Sequence, residues 1–214
     1  MADETEAPEA PDTRKWKLFA IVSLISLIAD QATKIWARAA LPVECGPSGQ
    51  GNLDVVDALV QRRCIGKTVS FIEGFWEWRL SMNPGSAFGL FSGTGSFGRI
   101  MLSVVGVAAV AGMFWMLRKA RSDQRVLHWA LAFVAGGAVG NLIDRIYYGV
   151  VTDMVLWRYK TTEWPVFNVA DVVLVVGVGL MFIDIQKEGK REKALKKVRQ
   201  EKAKQAGLVK DLTK

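Results

Sequence analysis

The residues of this chain best suited to chemistry are carboxylates and carboxamides set in apolar surroundings. Asp30 and Lys34 stand four apart in one apolar run, and Asn141, Asp144 and Arg145 cluster near the end of another. Asp153 follows in YYGVVTDM, and Asn168 and Asp171 open a further run. An ionisable residue inside a membrane span costs about 2.5–3.5 kcal/mol on insertion scales, so each one needs a reason. Taken singly, the reasons are ordinary. Asp30 and Lys34 form an i,i+4 pair that neutralises itself. Asn141 and Asp144 share a helical face and suit interhelical hydrogen bonding, and Asp171 sits at the positive end of a helix. Taken together, the residues support a reaction. Two neighbouring carboxylates cannot both ionise easily, so one keeps a proton while the other acts as a base. Such a pair can activate a water for attack on a peptide carbonyl and then protonate the leaving amine. Competing chemistries lack their groups. There is no HExxH; His128, the one histidine, lies at the far end of its run; and Cys45 and Cys64 have no histidine near them in sequence. No zinc site or thiol redox centre is expected.

Four apolar segments must position these groups: Leu18–Trp36, Ile100–Leu117, Val126–Tyr148 and Phe167–Ile185. Each approaches the roughly 20 residues that cross about 30 Å of hydrocarbon. At 1.5 Å per residue, Asp30, Lys34, Asn141, Asp144, Arg145, Asn168 and Asp171 all fall toward the same end of their spans, with Asp153 just beyond. Span two carries no acidic residue. Arg14, Lys15 and Lys17 precede span one, which resembles the start of a signal peptide. Asp30 and Lys34 within the run and three later spans argue for a retained helix. The 28 Lys and Arg exceed the 21 Asp and Glu, for a net charge of +7. That excess reads as a topology signal, not as affinity for nucleic acid. Eighteen basic residues flank the spans on one side, the expected cytoplasmic side, with both termini. The apolar half of the composition excludes a disordered chain.

The expected architecture is a mainly α membrane protein with four transmembrane helices and a small outer β-sheet. Residues 1–13 form a disordered lead, 14–186 the four-span domain, and 187–214 a basic tail, either a solvated helix or one attracted to anionic lipids. The first outer loop, about 37–98, is too long for a connector. Trp76, Trp78, Leu80 and Met82 alternate with Glu77, Arg79 and Ser81, which predicts a strand with a tryptophan-rich face for the membrane boundary. Cys45 and Cys64 either staple the loop or remain free thiols.

DQATK (Asp30–Lys34), NPGSAFG (Asn83–Gly89), GNLIDR (Gly140–Arg145), VVTD (Val150–Asp153) and FNVAD (Phe167–Asp171) resemble, in this order, the lipoprotein signal peptidases, or signal peptidase II. The resemblance covers roughly residues 16–186. It implies a bacterial aspartic endopeptidase of the cytoplasmic membrane that removes the signal peptide of diacylglyceryl-modified prolipoproteins, just before the lipidated cysteine. It implies no metal or organic cofactor, sensitivity to the cyclic peptide globomycin, and membrane lipids and prolipoproteins as partners; a monomer suffices. It implies Asp153 and Asp171 as the catalytic pair and Asn83, Gly85, Asn141, Arg145 and Asn168 as substrate contacts. Asp30, Lys34 and Asp144 would be supporting residues. Reasoning from the residues alone leaves Asp144 and Asp153 both open as the partner of Asp171, although Arg145 beside Asp144 suits an organising role. Gly85, Ser86 and Ala87 would let a peptide backbone approach closely. The segment carrying Trp76 and Trp78 is expected to cradle or cover the substrate. The loop between Trp36 and Phe71 and the charged tail are longer than the resemblance requires. A proton channel would need charges through the full depth, and a non-catalytic homologue would be expected to lack one of the aspartates.

Overall fold

The computed structural model describes residues 13–47, 49, 51–85 and 95–205. Among these, four helices are long and apolar enough to cross a membrane: α1 (Thr13–Ala40), α3 (Gly95–Lys119), α4 (Arg125–Tyr147) and α5 (Val169–Gln205). The 23 residues of α4 give it a length of about 34 Å. It is the central helix, touching α1, α3 and α5. Its small residues allow this: Ala130, Ala132, Ala135, Gly136, Gly137 and Gly140 are all buried. At Gly140 the approach is extreme, since a Cβ there would lie 2.4 Å from Asp30 Oδ2.

Outward from α4 the helices present large apolar side chains to their surroundings. Ile21, Leu24 and Ile25 of α1, Ile100 and Val104 of α3, and Val175 and Phe182 of α5 are all more than half exposed. Helices apolar on every face need lipid, not water, around them. The chain is a multi-pass membrane protein.

At one end of the bundle two small antiparallel sheets form. β1 (Val43–Cys45) pairs with β2 (Cys64–Gly66), and β3 (Val69–Ile72), β4 (Trp76–Asn83), β5 (Val151–Tyr159) and β6 (Thr162–Glu163) follow in that order. The short helix α2 (Val55–Val60) lies between β1 and β2, with Asp54 capping it through the N–H of Asp57 at 2.8 Å. Cys45 and Cys64 are bonded as a disulfide. The alternation expected for residues 76–82 is present as β4: Leu80 is buried, and Trp76, Trp78 and Met82 pack with it against Ala37, Leu41, Met154 and Val155. On the opposite face Glu77, Arg79, Arg158 and Glu163 form a ladder of ion pairs, including Arg158–Glu77 at 2.9 Å and Arg79–Glu163 at 3.1 Å. Gly66 lies directly on the backbone of β4, where a Cβ would meet the Leu80 carbonyl oxygen at 1.9 Å.

Several expectations need correction. Span four does not begin at Phe167. That residue pairs with Val155 as an isolated bridge, and the helix starts at Val169. The helical character expected of the basic tail is present, and the helix does not stop at the end of its apolar run. It continues unbroken into the basic tail as far as Gln205, held where it leaves the bundle by Arg121, which reaches Glu188 at 2.8 Å, and by an Arg191–Asp123 pair. The acidic lead lies outside the described residues except for Thr13, which already belongs to α1.

Candidate active site

The site lies where the sheet meets α1, α4 and α5. Its frame is the start of α5. Asn168 is the N-cap: its Oδ1 accepts the N–H of Asp171 at 2.9 Å, while Asp171 Oδ2 accepts the N–H of Asn168 at 3.2 Å. This reciprocal pair is a capping box, and it fixes the Asp171 carboxylate at the helix start. A third donor of the same helix end, the N–H of Ala170, is taken by Asp30 Oδ1 from α1 at 2.9 Å. Helix starts leave such N–H groups without intrahelical partners, and burial makes partners obligatory.

Asp153 comes from β5, which is buried from Val151 to Leu156. The Phe167–Val155 pairing, with Phe167 O accepting from Met154 and Val155, brings Asn168 alongside Asp153. Asn168 Nδ2 donates to Asp153 Oδ1 at 2.6 Å, and Asn83 Nδ2 donates to Asp153 Oδ2 at 3.1 Å. The Asn83 contact follows from register: Asn83 of β4 pairs with Val151, and Asp153 is two residues along on the same face. Asn83 Oδ1 in turn accepts the N–H of Gly85 at 3.0 Å, closing the turn after the strand.

Asn141 of α4 joins the two halves. Its Nδ2 donates to Asp171 Oδ1 at 3.0 Å, and its Oδ1 accepts from Lys34 at 2.8 Å and from Asn168 Nδ2 at 3.2 Å. Arg145 extends to the carbonyls of Asn141 and Gly85, both at 3.4 Å, and its charge acts first on Asp171 and then on Asp153. Asn83, Gly85, Asn141, Arg145, Asp153 and Asp171 border a cavity of about 700 Å³, walled on its other sides by Trp157, Trp164, Phe167 and the valines of the first turns of α5. That volume suits a substantial organic ligand. Asp153, only 2% exposed, has its carboxyl pushed up to about 7, first by burial and then by the charge of Asp171; the Asn83 and Asn168 hydrogen bonds oppose the shift.

Thus Asp153, Asp171, Asn83, Gly85, Asn141 and Arg145 surround one cavity, whereas Asn168, expected as a substrate contact, is fully buried behind Asp153 and Asp171 and bonds to both. Asp30, Lys34 and Asp144 lie behind the cavity, each fully buried. Two readings of these supporting residues need revision. The cations near Asp144 are Lys34 at 3.6 Å and Arg38 at 3.7 Å from α1, whereas neighbouring Arg145 turns toward the cavity. Helical geometry separates adjacent side chains by about 100°. Lys34 does pair with Asp30 at 2.9 Å, but the pair is not closed on itself, because Lys34 also serves Asn141 and Asp144. Trp76 and Trp78 pack beneath the sheet, so it is Trp157 and Trp164 that border the cavity. Ser86 and Ala87 lie outside the described residues. Among the described residues no group of His, Cys, Asp and Glu is disposed to hold a metal ion.

Sequence reasoning missed Arg38, Thr152 and the aromatic wall. Arg38 could have been found from its spacing, since it continues the Asp30–Lys34 stripe by another four residues.

The family described as Signal peptidase (SPase) II, Peptidase A8, matches residues 22–187. The lipoprotein signal peptidase of Geobacter metallireducens is 32% identical over 177 residues, covering 83% of this chain and 95% of that protein. The Symbiobacterium thermophilum protein of the same name is 33% identical over 165 residues, covering 77% and 91%. The fold is similar to that of a solved bacterial membrane enzyme, with a TM-score of 0.63, 22% identity, and coverage of 82% of this chain and 91% of the other. With the family covering most of the chain and the motif residues gathered round one cavity, this protein belongs to the signal peptidase II family of aspartic peptidases.

Proposed function

We propose that the chain cleaves diacylglyceryl-modified prolipoproteins just before the lipidated cysteine, with Asp153 and Asp171 as the catalytic pair. The observation that carries this reading is the position of the two carboxylates. They arrive from a strand and a helix, both accept hydrogen bonds from Asn168 (Asp153 from its Nδ2, Asp171 from its backbone N–H), and open on the same cavity.

Charge balance supports the protonation state that the reaction needs. Asp30, Asp144, Asp153 and Asp171 face Lys34, Arg38 and Arg145, so one proton completes neutrality in this low-dielectric region. The upward shift at Asp153, caused first by burial and then by the charge of Asp171, supports placing that proton there. Asp171, whose oxygens accept from Asn141 and from the Asn168 backbone, then serves as the base. It takes a proton from water as the water oxygen bonds to the scissile carbonyl carbon, and Asp153 gives its proton to the carbonyl oxygen. As the tetrahedral intermediate collapses, the C–N bond breaks and the proton on Asp171 passes to the leaving nitrogen. Asp153 recovers its proton from a hydroxyl of the intermediate as the carbonyl re-forms, and the pair returns to its starting state. No metal or cofactor takes part.

Asn141 and Asn168 hold the carboxylates while Arg145, Asn83 and Gly85 orient the peptide. The substrate's acyl chains would remain in lipid beside the apolar start of α5. The charge distribution supports placement in the bacterial cytoplasmic membrane with both termini cytoplasmic and the cavity at the outer leaflet. A single chain is sufficient.

The test is a gel-shift assay of a lipidated prolipoprotein with wild type, Asp153→Asn, Asp171→Asn and Asp144→Asn, each checked for folding. Wild type should cleave, and both dyad variants should be inactive though folded. Turnover by Asp153→Asn together with loss in Asp144→Asn would transfer the role to Asp144.

A further inference from the structure

Behind the cavity, α1 presents a stripe of three charged side chains at intervals of four: Asp30, Lys34 and Arg38. Each ends on a different part of the site. Asp30 accepts the N–H of Ala170, the residue before Asp171. Lys34 donates to Asn141, which holds Asp171. Arg38 Nη1 donates to Thr152 Oγ1 at 2.7 Å, and Thr152 is the residue before Asp153.

Arg38 is itself closely held. Its guanidinium lies 4.5 Å over the Tyr148 ring and 3.7 Å from Asp144 Oδ1. That oxygen is buried and makes no hydrogen bond among the described residues, so Arg38 supplies its nearby charge. Asp144 Oδ2 meanwhile accepts the backbone N–H of Thr152 at 2.8 Å. Thr152, fully buried, is thus gripped at both its backbone and its hydroxyl. Successive strand residues point to opposite faces, so Arg38 does not touch the Asp153 carboxylate and acts through the strand backbone.

We propose that Arg38 is a positioning residue for Asp153. On this proposal, which rests on the dyad reading above, α1 sets the separation of the two carboxylates: Asp30 anchors the helix bearing Asp171, and Arg38 anchors the strand bearing Asp153. Arginine suits the task because one planar group stacks on Tyr148 while its edge meets both Thr152 and Asp144.

The experiment measures kcat and KM for cleavage of a diacylglyceryl-modified prolipoprotein by the full chain in lipid bicelles. The set comprises wild type, Asp153→Asn, Arg38→Gln, Arg38→Lys, Thr152→Val and the double variant Arg38→Gln with Thr152→Val. Displacement of a catalytic group lowers turnover more than binding, so Arg38→Gln and Thr152→Val should each lower kcat about tenfold and leave KM within about twofold. The double variant should be no slower than the slower single one, since both lose the same hydrogen bond. Arg38→Lys should stay near Arg38→Gln, because the charge without the planar fork does not restore the grip. Unchanged kcat in both single variants, or losses that multiply in the double, would overturn the proposal. If Arg38→Gln does not fold, Thr152→Val, which exchanges the hydroxyl for a methyl of similar size, decides by the same criterion. A wild type that never cleaves, or an active Asp153→Asn, would overturn the dyad reading and this proposal with it. An inactive Asp153→Asn beside fully active Arg38 and Thr152 variants would overturn this proposal alone.

Discussion

Asp153 and Asp171 belong to the same residue type but occupy different environments, and that difference sets the expected pH response. Burial and the charge of Asp171 raise Asp153 to about 7 from an ordinary value of 3.8. In the proposed mechanism this group must start protonated. Below about 7 it is, and above it the proton is lost, so kcat/KM should fall roughly tenfold per pH unit on the alkaline side. The Asn83 hydrogen bond favours the charged form. Asn83→Ala should therefore raise the value further and move the alkaline limb to higher pH. A pH–rate series on wild type and Asn83→Ala checks both statements, and a limb that moves to lower pH would refute the assignment. The same shift has a linkage consequence. Because the folded state binds the proton more tightly, stability contributed at Asp153 is complete below its ordinary value and is lost as pH rises through about 7.

At the level of elements, the site depends on how closely α1, α4 and α5 approach. Gly140 leaves room for Asp30 to reach the first turn of α5; a Cβ would stand 2.4 Å from Asp30 Oδ2 and 3.5 Å from the Ala170 Cβ. Asp30 is not free to move aside, since it is buried and bonded to both Ala170 and Lys34. Gly140→Ala should thus cost about 1–3 kcal/mol through overpacking and should lower turnover as well, because the helix bearing Asp171 shifts. Gly179, farther along α5, has nothing within 4 Å of its would-be Cβ. Gly179→Ala should leave stability unchanged or slightly raised, since alanine is the better helix former by about 1 kcal/mol. Thermal inactivation midpoints and turnover of the two variants, measured side by side, test the contrast. Equal effects would show that the close approach at Gly140 is not what limits packing.

Across the whole molecule, two layers meet at the site: a helical bundle suited to lipid and a sheet layer at one end. The segment from Val43 to Gly66 rests on the sheet through Gly66 and Leu80, and through Val43, Val55 and Leu59 against the cluster around Ala37 and Met154. The Cys45–Cys64 disulfide closes this segment across 19 positions. Closing a loop of that size stabilises by about 3 kcal/mol. Among the described residues, none of the hydrogen bonds around Asp153 and Asp171 passes through it. Replacing both cysteines with serine should therefore lower the midpoint of thermal inactivation by roughly 5 °C or more while turnover at low temperature stays near wild type. Turnover lost in step with stability would mean that the segment shapes the site directly.

The primary structure alone determined the four spans, the end of the bundle that carries the polar residues, the strand over Trp76–Met82 and the family resemblance. Apolar run lengths, charge asymmetry and period-two alternation are local signals, and NPG, GNLIDR and FNVAD are contiguous. What it could not convey depends on elements distant in the chain. β5 escaped notice because it is buried along most of its length and shows no alternation. The choice of Lys34 and Arg38 as the cations at Asp144, over adjacent Arg145, follows from the angle between neighbouring helical side chains and the place where α1 crosses α4. The reach of Asn83 to Asp153 is a matter of strand register, and that of Asn168 a consequence of the Phe167–Val155 pairing. Each of these contacts joins residues whose closeness exists only after helices and strands have packed, which is why the residue types were legible and their partners were not.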